Sequence, residues 1–320
     1  MKPCLIGVEI GGTNLRLAYG TPEGEILELR RGGVAPEAGA QGILAWIKEN
    51  LPLMLDQARA TGYQPRGLGC GFGGPINTPQ GRVLRSIHIL GWDDYPLKEW
   101  FQTEFQLPAV IANDTNAAAW GEYRRGIGRG TRYFFYTNIG TGIGGGIIID
   151  GSLYDGQGFG AGEFGQTFVP DWTAARPGVE ERLENLCSGL SIEKRLRTPG
   201  YVPGASALMK LCDGDLTRID CRLLHQAAIQ GDPFARQEIE RVGWTIGIAL
   251  SNVLSLVSSE RIALGGGVSN MGELLLGAIR RSTKEHEFVN SVGRYEIFPC
   301  ELKGSIVLVG AILLAAEKVL

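Results

Sequence analysis

Two stretches of this chain share one design, and together they restrict the fold more than any other feature. Near the start, the sequence VEIGGTNLRLAY occupies residues 8–19; in the middle, TNIGTGIGGGIII occupies residues 137–149. In each, an apolar β-type run meets a turn of Gly and Thr and returns as a second run. Such an internal repeat implies two related α/β domains, each with a hairpin whose glycine N–H groups can approach phosphate oxygens. A length of 320 residues agrees with two domains.

The pattern between and around the repeats fills in an α/β chain. Strands are expected at residues 4–10, 15–19 and 25–31. Ile43, Leu44, Ile47, Leu51 and Leu55 give residues 41–60 a helical stripe, with Pro52 set to interrupt or kink it. A short strand follows at 67–71, then an irregular Gly/Pro-rich segment at 72–94 and a helix at 97–105. The second half opens with a strand at 133–139, a turn through residues 140–146 and a return strand at 147–149, where Asp150-Gly151 makes a hairpin turn. Residues 234–257 form the longest helix, with Ile239, Val242, Ile246, Leu250, Val253 and Leu254 on one face. A buried strand at 262–264 opens into Gly265-Gly266-Gly267, followed by a helix at 271–282. The apolar helix at 306–319 is expected to pack back on the first domain. The expected small domain is 1–112 with 305–320, and the larger one is 113–304.

Between the two hairpins, the apolar run Val110-Ile111-Ala112 stops at Asn113-Asp114, and an Ala-rich helix candidate follows. Asp114 or Thr115 reads as its N-cap. Asp114 also reads as a general base on the floor of a cleft, because a carboxylate among phosphate-holding loops suits phosphoryl transfer to a hydroxyl. In the first loop, Gly11, Gly12, Thr13 and Asn14 could hold phosphate, and the strand-end carboxylate Glu9 could hold Mg²⁺, directly or through water; a plain Gly-Gly hairpin is the other reading. The second loop offers the same chemistry through Thr141 and Gly142. It is no Walker A loop, since no Gly-Lys-Ser/Thr follows, and its continuation is strand rather than the helix of a dinucleotide fingerprint. Gly265, Gly266 and Gly267 read equally as a nucleotide contact or as a close helix–strand packing point.

Composition removes several classes. With 31 basic against 34 acidic residues and no block of like charge, a nucleic-acid or anionic-membrane surface is not favoured. No apolar run approaches the roughly 18 residues of a membrane span, and the opening MKPCLIGVEI runs straight into Gly11-Gly12 as a first strand rather than a signal peptide. Six scattered cysteines without a CxxC pair suit a reducing cytoplasm better than a disulfide framework or a metal site.

The motifs GGTN, NDTNAAAWGE, NIGTGIGGG, GAGEFGQ, ENLCSG and LGGGVSN stand in this order. Their succession resembles the ROK family of sugar kinases and sugar-responsive repressors, over nearly the whole chain. The resemblance implies a two-domain actin-like (ribonuclease H-like) ATPase fold with a cleft between domains, ATP and Mg²⁺ near Glu9 and Asp114, and transfer to a hexose or amino-hexose hydroxyl, usually O6. It implies Asp114 as base, Asn113 as sugar ligand, and Glu163 and Glu184 as carboxylates that grip sugar hydroxyls. Gly74, His88 and Gln166 complete the expected substrate-binding set. A homodimer follows only from family habit. The repressors carry an N-terminal helix-turn-helix, whereas this chain begins with a strand, which disfavours that branch. Three positions depart from the family: Glu9 replaces an Asp, His88 an Asn, and Gln166 a His bound to sugar and zinc. The cysteine cluster that completes the zinc site is also absent from residues 170–186, so the structural zinc is expected to be missing, with packing through Trp172 in its place. These changes keep open a degenerate sugar sensor. A polyphosphate-dependent kinase is the other alternative; it would need a basic track, for which Arg124, Arg125, Arg129 and Arg132 offer a modest cluster.

Overall fold

The computed structural model describes residues 1–12, 14–33, 36–86 and 89–320, with Pro36 described in its backbone alone. Two expected site residues, Thr13 and His88, lie outside the described residues.

The first sheet begins as an antiparallel meander of β1 (Lys2–Ile10), β2 (Leu15–Gly20) and β3 (Ile26–Gly32), with Glu9 directly opposite Arg16. Helix α1 (Gly39–Ala60) crosses over to β4 (Tyr63–Phe72), which runs parallel to β1. Pro52 does not interrupt α1 as expected: it is exposed, and the helix runs through it as one piece. The buried stripe of Ile43, Leu44, Ile47, Leu51 and Leu55 holds the helix on the core, and burying such side chains outweighs the loss of one backbone rung. A short hairpin, β5 (Ile76–Asn77) with β6 (Arg82–Val83), precedes α2 (Leu97–Phe105) and β7 (Ala109–Asn113). Parallel pairing of β7 with β4 completes the order β3-β2-β1-β4-β7. The chain passes directly from β7 into α3 (Asp114–Arg125).

The second sheet repeats the opening hairpin with β8 (Phe134–Ile139), β9 (Ile143–Ile149) and β10 (Ser152–Tyr154). The turn between β8 and β9 is shorter than expected, since residues 143–146 belong to β9. Glycine there serves close approach within a strand rather than a turn: a Cβ on Gly146 would stand 2.3 Å from Cβ of Ala119. A small antiparallel hairpin, β11 (Phe168–Pro170) with β12 (Glu180–Arg182), leads to α4 (Leu183–Cys187), α5 (Gly189–Leu196), α6 (Ala207–Leu211), α7 (Cys221–Ile229) and the long α8 (Pro233–Val257). Asp232 caps α8 by accepting the Ala235 N–H at 2.8 Å, and Pro233 occupies the first turn, where no N–H is missed. Then come β13 (Arg261–Gly265), α9 (Glu273–His286), β14 (Glu296–Pro299) and α10 (Ile306–Val319). The sheet order is β10-β9-β8-β13-β14, with β13 parallel to both of its neighbours. Residues 268–271 form a tight 3₁₀ turn, so α9 starts two residues later than expected, after Gly272 at φ 62°.

The chain divides into two compact units. One comprises Met1–Arg132, Gly146–Gly162 and Glu301–Leu320; the other comprises Tyr133–Gly145 and Glu163–Cys300. The first unit reaches past the expected boundary at residue 112 because α3 is locked to α10. A Cβ on Gly310 would meet the Ala117 carbonyl at 1.7 Å, and one on Gly121 would meet the Ile306 carbonyl at 2.8 Å, so the two helices cross backbone against backbone. As expected, α10 packs on the first unit: Leu308, Ile312 and Ala315 are buried with Leu5 and Ala18. Among the described residues no helix is long and apolar enough to cross a membrane.

Candidate active site

In the first unit the site grows out of the junction between β7 and α3. Asn113, in extended conformation, caps the helix: its Oδ1 accepts the N–H groups of Thr115 at 2.9 Å and Asn116 at 3.2 Å. The expected cap at Asp114 or Thr115 is thereby corrected. Capping falls to Asn113, because it is the last extended residue and its side chain can reach the two amides. Asn113 Nδ2 also donates to the Gly74 carbonyl at 3.1 Å, which fixes the Gly73-Gly74 turn at the end of β4. Asp114 is therefore the first helical residue. Its Oδ1 accepts the Thr115 N–H at 2.7 Å, while Oδ2 lies toward Gly73, where a Cβ would stand 3.3 Å from Oδ2 and 3.3 Å from Cα of Gly11. Glycine at 73 spares this side of the carboxylate a Cβ contact and brings the first glycine loop beside it. That loop is closed by the Gly11 N–H on the Asn14 carbonyl at 2.7 Å, and the Gly73 N–H ties to the Ile10 carbonyl at 2.7 Å.

Glu9, at the end of β1, is 4% exposed. Its Oε1 pairs with Arg16 Nη2 at 3.2 Å, while Oε2 is buried with no hydrogen-bond partner among the described residues. Burial pushes the Glu9 carboxyl up to about 7; the Arg16 guanidinium pulls against that, nearby Asp114 pushes further up, and a hydrogen bond from Asn14 pulls down. A divalent cation would relieve both the orphaned oxygen and the two neighbouring negative charges, so these residues fit Mg²⁺. Among the described residues no group of three or more His, Cys, Asp or Glu side chains gathers as a metal site. Arg16 was not singled out from the sequence, although positions 9 and 16 lie equally far from the turn at residues 11–14 and so must face each other in a hairpin. It also donates to the Gly304 carbonyl. With Arg31 and Asn14 it lines a cavity of about 330 Å³ beside the first loop.

The second unit carries the other expected groups. The turn at residues 140–142 is held by α4 and α5: Glu184 Oε2 accepts the Ile143 N–H at 2.7 Å, and the Gly189 N–H donates to the Gly140 carbonyl at 2.7 Å. Glu184 Oε1 accepts Gln166 Nε2 at 3.3 Å. Glu163 lies close enough to Glu184 that its carboxyl is pushed up, first by partial desolvation of the acid group and second by the Glu184 charge. The residue as a whole is exposed, so the surrounding water keeps this effect modest. Gly265 and Gly266 are close-packing positions: a Cβ would meet the Tyr136 hydroxyl at 2.2 Å in the first and the Ile139 carbonyl at 2.3 Å in the second, where φ is also 87°. Gly267 faces open space.

Two further expectations concern the surroundings. Trp172 is flanked by guanidinium groups, Arg195 at 4.7 Å and Arg241 at 5.4 Å from its ring centre. Arg195 in turn pairs with the buried Glu238 and donates to the Leu186 carbonyl at 3.0 Å. The expected basic cluster is dispersed into separate contacts: Arg124 over the Trp120 ring, Arg125 on the Glu23 carbonyl, Arg129 with Glu301, and Arg132 with Asp150. His286 bonds the Ser282 carbonyl through Nδ1 at 2.8 Å, as a structural histidine would.

The sequence model of the ROK family matches residues 5–318. The chain belongs to the ROK family. Among ROK relatives, it is 33% identical over 284 residues to a glucokinase of Streptomyces coelicolor, covering 87% of this chain and 86% of that one. It is similar to the crystal structure of a ROK glucokinase from Streptomyces griseus in complex with glucose and AMPPNP, with a TM-score of 0.81 and 32% identity over 98% of this chain and 99% of the other. That likeness makes the mixed α/β architecture the two-domain actin-like ATPase fold of ROK proteins. A xylose repressor of Caldicellulosiruptor bescii is 27% identical over 99% of this chain and 79% of the repressor. ROK kinship of this degree supports a sugar kinase as the coarse activity.

Proposed function

We propose that the protein is an ATP-dependent hexose kinase with Asp114 as general base, transferring the γ-phosphoryl group to the O6 hydroxyl of glucose or a closely related hexose. The observation that carries this reading is the division of labour at the start of α3. Asn113 does the capping, which leaves the Oδ2 side of Asp114 directed at the glycine-walled space by Gly73 and Gly11.

In the reaction, Asp114 accepts the proton of the sugar hydroxyl as its oxygen attacks the γ-phosphorus, and the bond to the β-phosphate oxygen breaks to release ADP. Backbone N–H groups of the first loop, at Gly12 and Asn14, and of the second, at Thr141 and Gly142, stabilise the charge on the transferring group, while the Gly11 N–H holds the first loop closed. Glu163 and Glu184 accept hydrogen bonds from sugar hydroxyls, Gln166 offers a donor and an acceptor, and Asn113 has one amide N–H left beyond its bond to Gly74. Mg²⁺ held by Glu9, close to Asp114, would supply charge neutralisation on the phosphates. Gly267 is the open position of the third loop available to a nucleotide. The dispersal of the arginine cluster into local contacts weighs against a polyphosphate track.

The test is coupled ADP release with MgATP across a panel of hexoses and N-acetylhexosamines. Sugar-dependent turnover that falls on the order of 10²–10⁴-fold in Asp114→Asn supports the reading. Turnover within a few-fold of wild type in that variant removes Asp114 as base. Similarity to a repressor and the substitutions at Glu9 and Gln166 favour a second reading, a sugar sensor without turnover. Calorimetric sugar binding with no ADP release from any sugar would select it.

A further inference from the structure

Glu184 is engaged in two directions. One carboxylate oxygen, Oε2, accepts the N–H of the buried Ile143 at 2.7 Å, at the exit of the 140–142 turn. The fit is tight enough that a Cβ on Gly142 would stand 2.6 Å from that same oxygen. Two backbone bonds tie the turn to the segment that follows Glu184: the Gly189 N–H on the Gly140 carbonyl at 2.7 Å, and the Leu190 N–H on the Thr141 carbonyl at 3.4 Å. That segment is itself held to Glu184, because Ser191 donates its hydroxyl to the Glu184 carbonyl at 2.9 Å and Ser188 caps α5 through the Ser191 N–H. On this side the glycine turn thus takes its position from the α4–α5 corner, and the bond to the carboxylate is its charge-assisted, strongest tie. The other oxygen, Oε1, meets Gln166 Nε2 across 3.3 Å and has lone-pair capacity left for a hydroxyl.

We propose that Glu184 is the positioning residue of the Gly140–Gly142 phosphate turn as well as an acceptor for a sugar hydroxyl, and that it thereby links nucleotide binding to sugar binding. This rests on the kinase reading above. The carboxylate is one rigid plane. A hydroxyl on Oε1 fixes that plane, which fixes Oε2, the Ile143 N–H and the turn in which phosphate-directed amides lie. By linkage the effect is reciprocal: each ligand tightens the other by one common factor. Among the described residues Glu163 makes no bond to the turn, so the two carboxylates differ in kind even though the kinase reading gives both a sugar hydroxyl.

The test is calorimetric titration of the full-length protein with AMPPNP and Mg²⁺ in the absence of sugar. Glu184→Ala should weaken AMPPNP binding about tenfold or more, the loss of a hydrogen bond to a charged group. Glu184→Gln, whose amide oxygen still accepts the Ile143 N–H, should stay within about twofold of wild type, and Glu163→Ala should match wild type. A residue that only held sugar would leave sugar-free nucleotide affinity untouched in every variant, so wild-type affinity in a folded Glu184→Ala overturns the proposal. The second arm adds the hexose with the highest turnover, D-glucose first, to the wild type. AMPPNP affinity should rise at least about fivefold, within the usual span of coupling between sites, and the absence of any rise overturns the proposal even if Glu184→Ala fails to fold. If no hexose is phosphorylated, the kinase reading fails while the sugar-free arm still decides the role of Glu184.

Discussion

The crossing of α3 and α10 makes Gly310→Ala the most informative single perturbation of the first unit. The new Cβ would stand 1.7 Å from the Ala117 carbonyl oxygen and 2.5 Å from its carbon. Contacts under 3.0 Å do not occur at real Cβ atoms, so the helices must part by at least 1.3 Å (3.0 − 1.7) at this point. Neither partner can yield by rotating a side chain, because the clash is with backbone on both sides. Overpacking costs about 1–3 kcal/mol, and a clash this close with unyielding backbone takes the top of that range, about 3 kcal/mol, against about 1 kcal/mol gained from replacing a helical glycine. We expect a net loss of roughly 2 kcal/mol, seen as a lower midpoint in urea unfolding followed by tryptophan fluorescence. Asp114, the proposed base, begins the helix that must move, and misplacing a catalytic group by about 1 Å can cost on the order of 10²-fold; on that reading kcat should fall by that order even where the protein is fully folded. Gly204→Ala, where no heavy atom lies within 4 Å, is the matched control and should leave both quantities unchanged. If Gly310→Ala unfolds within about 0.5 kcal/mol of wild type, the size expected of a neutral surface change, and turns over normally, the backbone-to-backbone crossing is not rigid and the reasoning fails.

Glu9→Gln should stabilise the metal-free protein at pH 8 and not at pH 4. The folded carboxyl titrates near 7 against an ordinary value of 4.5, so its stabilising protonated form is complete below 4.5 and is lost as pH rises through 7, a change of ~3 kcal/mol in all. Unfolding at both pH values in EDTA checks it, and equal effects at the two would count against burial as the dominant cause. Prolonged chelation should leave the melting temperature and the far-UV spectrum unchanged, since the hairpin at residues 168–182 is braced by Trp172 against Arg195 and Arg241; a fall in melting temperature restored by Zn²⁺ would refute this.

What could be read in advance follows from how local its cause is. The hairpin of β1 with β2 and the stripe of α8 are written in periodicity, and both stand where the spacing puts them, except that Val253 is only half-buried. The α1 helix persists through Pro52 because a buried face on the far side decides, which a local rule about proline does not register. The extent of the second turn was illegible for another reason. Glycine suits a turn and a crowded strand equally, and only the nearness of Ala119 tells that Gly146 is the latter. Asp114 was singled out through its neighbours in sequence, but that Asn113, one residue earlier, takes the capping role shows only in the side-chain geometry. The dual engagement of Glu184 needed residues 143 and 184 to be brought together in space.

The first unit is made of three pieces of chain, and its last piece is α10. During synthesis the strands of the first sheet leave the ribosome long before the helix that covers Leu5 and Ala18. At ~5–20 residues per second, translating the intervening half of the chain takes about 10–40 s. Through that interval the face of the sheet meant for Leu308 and Ile312 is open to water and to other nascent chains. The second unit is enclosed by residues 133–300 and meets no such delay. A chain that stops short of Ile306 would keep that open face permanently, so α10 acts as the closing step of the unit whose strands are made long before it.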